Sequence, residues 1–291
     1  MPHPVPTLVI IGAHGQLGRA LAELPVPKGW ERLLLARPEI DVTDPLSVDA
    51  ALEKVTHGVV VNATAYTAVD KAETDSEQAY AVNRGGARHV ALAAARHGLP
   101  VIHVSTDFVF DGTAGIPYAP DAAPNPLGVY GRTKLDGERL AGDAALIVRT
   151  AWVYAPTGGN FVRTMLRLMA ERREVRVVAD QIGTPTYAPG LAAALWTLAD
   201  KGVTGIHHYT DAGAASWYDF AVAIQEEALA AGLLGHAVPV IPIATADFPT
   251  PAKRPSYSVL DKTSTFAALG GPTLHWRVNL RTMISKIKTI G

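Results

Sequence analysis

Apolar residues in the first half of the chain fall into short continuous runs separated by polar loops and stretches of helical spacing. Thr7–Ile11, Arg32–Ala36, Gly58–Ala63, Pro100–Val104 and Ala145–Thr150 are such runs, rich in Val, Ile and Leu and of strand length. After the first run, Arg19–Leu24 repeats at helical spacing, and a longer helix is predicted from Ser76 to Arg96. Strands alternating with helices predict an α/β fold built on a doubly wound parallel sheet.

The second half is less regular. An amphipathic stretch runs from Asn160 to about Arg173, Val175–Ala179 has the character of a short strand, and Asp180–Tyr187 reads as a loop. Gly190–Asp200 is helical in pattern and Gly205–Tyr209 strand-like. Ser216 is placed to cap a long helix, with Asp219 three residues on in a capping-box position. Five prolines between Pro239 and Pro255 exclude a plain helix there. We expect residues 1–172 with about 187–210 to form one domain, and about 173–186 with 211–291 a smaller, discontinuous α/β substrate domain.

The first strand runs into Gly12-Ala13-His14-Gly15-Gln16-Leu17-Gly18 and then a helix. Glycines at this spacing allow a tight turn, close approach of backbone to a pyrophosphate and close helix–strand packing, while the helix N-terminus offers free N–H groups. The expected fold is therefore of Rossmann type, with a dinucleotide at this turn. Arg37 ends the second strand, where an acidic residue would grip an adenosine ribose; an Arg there suits a 2′-phosphate, favouring NADPH, with NADH the alternative. Ser105-Thr106-Asp107 stands at the carboxyl end of another strand, and Tyr130 and Lys134 share one face of a helix by their four-residue spacing. A free phenol with a pKa near 10 is a poor acid at neutral pH, and a neighbouring ammonium is expected to lower it into working range.

Composition narrows the setting. With 291 residues, 48% hydrophobic and 18% charged, the chain is long enough for one large core or two unequal ones. A net charge of −1 gives no field to recruit nucleic acid or an anionic membrane. No apolar run is long enough to span a bilayer and the N-terminus lacks a secretory pattern, so a cytoplasmic protein is expected. Zero cysteines exclude disulfides and thiolate chemistry, and the ten histidines show no ligand spacing, so no metal is expected.

Several strings together narrow the reading: the glycine turn, Asp41-Val42-Thr43-Asp44, Asn62-Ala63-Thr64-Ala65-Tyr66-Thr67-Ala68-Val69-Asp70-Lys71-Ala72-Glu73, and Ser105 to Gly112. Tyr130-x-x-x-Lys134 with Gly137-Glu138, Arg149 to Tyr154, Asp180-Gln181-x-Gly183-x-Pro185-Thr186 and Pro249-Thr250-Pro251-Ala252-x-Arg254-Pro255 complete the set. From Leu8 to about Trp276 the chain resembles the dTDP-4-dehydrorhamnose reductases, a family of extended short-chain dehydrogenase/reductases.

That resemblance implies reduction of the C4 ketone of a dTDP-6-deoxyhexulose by NAD(P)H, with dTDP-L-rhamnose as product. It implies Tyr130 as proton donor, Lys134 as the cation that tunes it and holds the nicotinamide ribose, and Thr106 as a hydroxyl on the reacting oxygen. Cofactor positions carried over are Gly12, Gly15, Gln16, Leu17 and Gly18 at the pyrophosphate, Asp41 and Val42 near adenine, and Ala65, Tyr66 and Thr67 along the ribose and nicotinamide. Substrate positions are Thr106, Asp107, Trp152, Asn160, Phe161 and Arg254, with Gln181 and Thr184 beside them; Arg254 suits the sugar nucleotide's pyrophosphate. Asp70, Lys71 and Glu73 read as a structural ion network by the cofactor loop. The expected partner is the dTDP-sugar alone, on a monomer or homodimer.

Two positions depart from the familiar pattern: Phe108 stands where many relatives have Tyr, and Ala151 where many have Ser. Other functions exist on this fold. The regulatory subunit of methionine adenosyltransferase binds the cofactor and docks a partner, whereas the full set Thr106, Tyr130, Lys134 and Trp152 favours an enzyme. A nucleotide-sugar epimerase or dehydratase is the other rival. A dehydratase would need a second acid/base pair, and Phe108 occupies the position where its Glu would stand.

Overall fold

Burial on both faces makes the apolar runs into a parallel sheet. The computed structural model describes residues 5–26 and 28–290. The first half contributes β1 (Thr7–Ile11), β2 (Glu31–Leu35), β3 (Gly58–Asn62), β4 (Val101–Thr106) and β5 (Leu146–Thr150). Helices α1 (Gln16–Glu23), α2 (Pro45–Leu52), α3 (Val69–Ala72), α4 (Ser76–Tyr80), α5 (Gly86–Arg96) and α6 (Val129–Ala141) lie in the connections. The second half adds β6 (Val153–Tyr154), α7 (Phe161–Glu171), β7 (Val175–Val178), β8 (Ile182–Gly183), β9 (Thr186–Tyr187), α8 (Ala188–Asp200) and β10 (Gly205–His208). It ends with β11 (Ala215–Ser216), α9 (Trp217–Ala231), β12 (Val240–Ile243), α10 (Thr263–Leu269) and α11 (Trp276–Ile290).

The central sheet has the order β10-β5-β4-β3-β1-β2 with every pair parallel. Successive side chains alternate between its faces. Leu8 and Ile10 meet Leu17 and Leu21 of α1 and Leu191, Leu195 and Leu198 of α8. Val9 and Ile11 meet Val48 and Leu52 of α2 and Val90 and Ala94 of α5. Strand order reverses between β1 and β3, so a crevice opens at their carboxyl ends, the usual place for a ligand in such sheets.

The helix expected over Ser76–Arg96 is interrupted by one π-helical turn, Ala81–Gly85. That wider turn carries Asn83, which is 1% exposed. The capping box at Ser216 and Asp219 forms as its spacing predicts.

A second core gathers α7, α9 and α11 around the two-stranded parallel sheet of β7 and β12. Helix α7 lies here because Val162, Met165 and Met169 bury against the same cluster as Phe220 and Ile224, although the expected boundary at 172 had it on the nucleotide side. Conversely α10 returns to pack on α8 and β10 of the first core. Pro242 sits in β12, whose one partner is β7, so its missing N–H breaks no interior ladder.

Candidate active site

The glycine turn is fixed by backbone contact. Gly12 has φ 94°, and a Cβ on it would lie 3.0 Å from the Ala63 backbone. At Gly18 a Cβ would lie 2.1 Å from the Gly12 carbonyl oxygen, so only glycine lets α1 pack against the turn. Gly15 caps α1 and no side chain bonds its first turn, leaving its leading N–H groups free for an anion. Beside the turn a crevice of about 1040 Å³ runs past Gly12, Gly15, Arg37, Asp41, Val42, Ala65 and Tyr66. Its size and free N–H groups fit a dinucleotide. Leu17 packs in the core beneath, and Thr67 is exposed outside the lining.

At the mouth Arg37 and Asp41 form an exposed ion pair at 3.3 Å. Hydrogen bonds from the Thr43 backbone and hydroxyl, with Arg37 beside them, hold the Asp41 carboxyl below its usual range. Tyr66 is held at three points. Its N–H and carbonyl bond the Asn83 amide at 2.8 and 3.2 Å, and its hydroxyl donates to Asp75 at 2.9 Å. The Asn83 amide also donates to Thr133 Oγ1 at 2.9 Å, and Thr133 donates to the Tyr130 carbonyl at 2.8 Å. One buried side chain therefore ties the cofactor loop to α6. Sequence reasoning missed Asn83, because its usefulness depends on the π turn that aims it inward.

Parallel register puts Thr106 of β4 beside Thr150 of β5, and α6 packs on β4. Lys134 is 2% exposed, and its Nζ donates to the Val104 carbonyl at 2.6 Å. Burial brings its pKa down to about 8, with Glu138 pulling the other way. Tyr130 packs edge-on to Phe108 with ring centres 5.5 Å apart, so the departure at Phe108 serves as one wall of the phenol's pocket. Burial pushes the phenol up to about 12; the Thr106 hydroxyl offsets part of this and the Asp107 charge adds to it. The expected lowering by Lys134 is therefore not what this arrangement gives. Desolvation of both groups outweighs their proximity, and the ammonium is directed at a carbonyl.

Behind Lys134 lies a buried ion pair. Glu138 takes a bidentate pair of bonds from Arg149, the shorter at 2.8 Å, and a 2.5 Å bond from Ser105. Asp107 is 2% exposed. Its Oδ1 accepts from Thr106 at 3.0 Å, its Oδ2 has no partner in good hydrogen-bond geometry, and burial raises its pKa to about 6 against the pull of the Ser258 and Thr106 hydroxyls.

Among the residues expected to meet substrate, Trp152 adopts φ 49°, a left-handed backbone that a bulky residue reaches only under constraint. Its indole stacks on Trp217 with centres 3.5 Å apart and planes within 10°. Phe161 joins this aromatic group at 4.7 Å from Trp217. Both Phe161 and Trp217 line a pocket of about 570 Å³ together with Gln181, Phe248, Thr250 and Arg254. Asn160 caps α7 through Arg163 N–H at 3.1 Å and donates to Gln16 at 3.0 Å, which joins the glycine turn to the second core. Thr184 is fully buried and donates to the Gly213 carbonyl. Arg254 is engaged by Asp70 at 2.7 Å, so it reaches this pocket as half of an ion pair. Asp70, Lys71 and Glu73 do not pair with one another: Lys71 meets Asp75, and Glu73 accepts from Val129 N–H at 2.8 Å.

Fold and site together define a dinucleotide-binding α/β protein of the short-chain dehydrogenase/reductase type. Residues 6–289 match the family described as RmlD substrate binding domain, and the chain belongs to that family. It is 43% identical over 286 residues to the dTDP-4-dehydrorhamnose reductase of Aggregatibacter actinomycetemcomitans, spanning 95% of this chain and 97% of that protein. It is 45% identical over 288 residues to the enzyme of the same name from Mycobacterium tuberculosis, spanning 96% and 92%. The crystal structure of dTDP-4-dehydrorhamnose reductase from Bacillus anthracis in complex with NADP superimposes with a TM-score of 0.91 at 33% identity, over 97% of this chain and 100% of that one.

Proposed function

We infer that the protein reduces the C4 ketone of dTDP-4-dehydrorhamnose to dTDP-L-rhamnose with NADPH. The observation that carries this reading is Tyr130, Lys134 and Thr106 gathered at the carboxyl ends of β4 and β5, in a chain 43% identical to a reductase of that name. The glycine turn and the crevice past Ala65 and Tyr66 would hold the cofactor, whose reduced nicotinamide supplies the hydride when bound.

As charge builds on the ketone oxygen, Tyr130 gives up its phenolic proton there. A phenol with its pKa pushed up to about 12 stays fully protonated at neutral pH, as a donor must. The Thr106 hydroxyl, which donates to Asp107 in the free protein, turns to orient the same oxygen once substrate is bound. Lys134 remains a cation below about pH 8 and lies one turn from Tyr130, which suits it to hold the nicotinamide ribose hydroxyls. The orphaned Asp107 Oδ2 suits a sugar hydroxyl, since buried acceptors are normally paired. Trp152 and Phe161 supply the aromatic wall, and Arg254 the charge for the pyrophosphate. Arg37 favours NADPH by meeting the 2′-phosphate. We assign the cytoplasm as the compartment and a monomer or homodimer as the acting form; among the described residues no helix is long and apolar enough to cross a membrane.

The test is NADPH oxidation on adding the 4-keto nucleotide sugar generated by its upstream enzymes, with the product identified by NMR. Tyr130→Phe should lose about 10²–10⁴-fold in turnover and keep its affinity for NADPH. Tight NADPH binding without oxidation in the unmodified protein would replace this reading with that of a regulatory subunit.

A further inference from the structure

Helix α6 begins without a capping side chain of its own. Gly128 occupies the N-cap, and it is Glu73, 56 residues earlier, whose Oε1 accepts the Val129 N–H at 2.8 Å. The contact is close: a Cβ on Gly128 would lie 2.7 Å from that oxygen and would push the Glu73 carboxylate off its present place. Tyr130 is the next residue, so the proton donor sits in the turn that Glu73 secures. Ala72 is fully buried in one apolar cluster with Val129, and Tyr66 and Tyr130 pack against it. A carboxylate at a helix N-terminus also meets the positive end of the helix dipole.

Three residues before Glu73, Asp70 reaches the other way. Its carboxylate takes both terminal nitrogens of Arg254, at 2.7 and 3.0 Å, and the Ala252 N–H at 3.2 Å. The loop so gripped forms part of the pocket wall through Thr250 and Arg254. One short helix thus holds the start of the catalytic helix with one carboxylate and the substrate loop with another.

We propose that Val69–Glu73 is a positioning element for the reduction, in which Glu73 sets the place of Tyr130 and Asp70 sets the place of Arg254. This rests on the reductase reading for its kinetic arm, while the backbone hold on α6 is measurable without substrate. Glu73 and Asp70 are positioning residues: they act through Tyr130 and Arg254.

The experiment compares full-length Glu73→Ala, Glu73→Gln, Gly128→Ala and Asp70→Asn with the unmodified protein. Hydrogen exchange is read on the peptide from Leu127 to Thr133, and turnover with NADPH and the 4-keto nucleotide sugar is read alongside. Glu73→Ala should expose the start of α6 to exchange and lower kcat about tenfold, the scale of one hydrogen bond to a charged group, with KM for NADPH unchanged. Glu73→Gln keeps an acceptor oxygen and should restore protection and most of the turnover. Gly128→Ala wedges the same contact from the other side and should resemble Glu73→Ala, so the test survives if one of the two fails to fold. Asp70→Asn should raise KM for the nucleotide sugar and leave exchange over α6 unchanged. Native exchange and kcat in Glu73→Ala, or equal losses in Ala and Gln variants, overturn the proposal. An unmodified protein without reductase activity removes the functional reading instead, and the exchange result still decides the hold of Glu73 on α6.

Discussion

Two ion pairs flank helix α6, and they differ in everything but chemistry. Behind α6, Arg149 and Glu138 have side chains 2% and 3% exposed. In front, Arg254 and Asp70 are 23% and 41% exposed. A buried pair has given up its water, so each partner depends on the other; removing one leaves a bare charge at a cost of several kcal/mol. A half-exposed pair is screened by solvent and contributes little to stability. The rear of the helix is therefore built for rigidity, and the front carries the more solvated, more easily replaced pair.

The sharpest way to break this comparison is to cut each pair once. Glu138→Gln leaves Arg149 buried without its counter-charge and should cost about 3–5 kcal/mol in denaturant unfolding, whereas Asp70→Asn should cost less than about 1 kcal/mol. Equal losses would erase the distinction. Replacing Glu138 and Arg149 together by Leu and Met should recover much of the loss.

A smaller effect reads the charge behind the helix. Lys134 is depressed from 10.5 to about 8 by burial and supported by Glu138, so its cation is present below that pH and lost above it. The value of kcat/KM should fall as pH rises through about 8, approaching tenfold per unit. Glu138→Gln should move that fall to lower pH, while Asp70→Asn should leave it in place. A flat profile to pH 10 would show that the Lys134 charge is not needed.

The mildest test concerns the aromatic wall in front. A Cβ at Gly183 would lie 2.8 Å from the Trp152 indole, so Gly183→Ala must shift the ring. We expect KM for the nucleotide sugar to rise by about tenfold with stability reduced by roughly 1 kcal/mol, measured by steady-state kinetics and thermal melting. Unchanged KM would make the Trp152–Trp217 stack part of the core and no part of the site.

Much of this was legible in the chain. The strands from Thr7 to Thr150 follow from continuous apolar runs, and the glycine turn and the Tyr130–Lys134 spacing were readable because each depends on neighbours close in sequence. The placement of α7 with the second core was not, since an amphipathic stripe tells that a face is buried and not against which partner. The direction of the Tyr130 shift was missed for a related reason: spacing brings the ammonium near, but burial of both groups decides the balance.

Local sequence by itself determined the central strands, the glycine turn, the capping box at Ser216 and the four-residue spacing that puts Tyr130 and Lys134 on one helix. Only the tertiary structure decided that Glu73 serves α6, that Asn83 ties Tyr66 to Thr133, that Glu138 belongs to Arg149 and that Arg254 arrives paired with Asp70. Periodicity and steric rules act over a few residues and leave their mark in the order of the chain. Hydrogen bonds and charges act over a few ångströms, and distance in space is set only once the whole chain has packed.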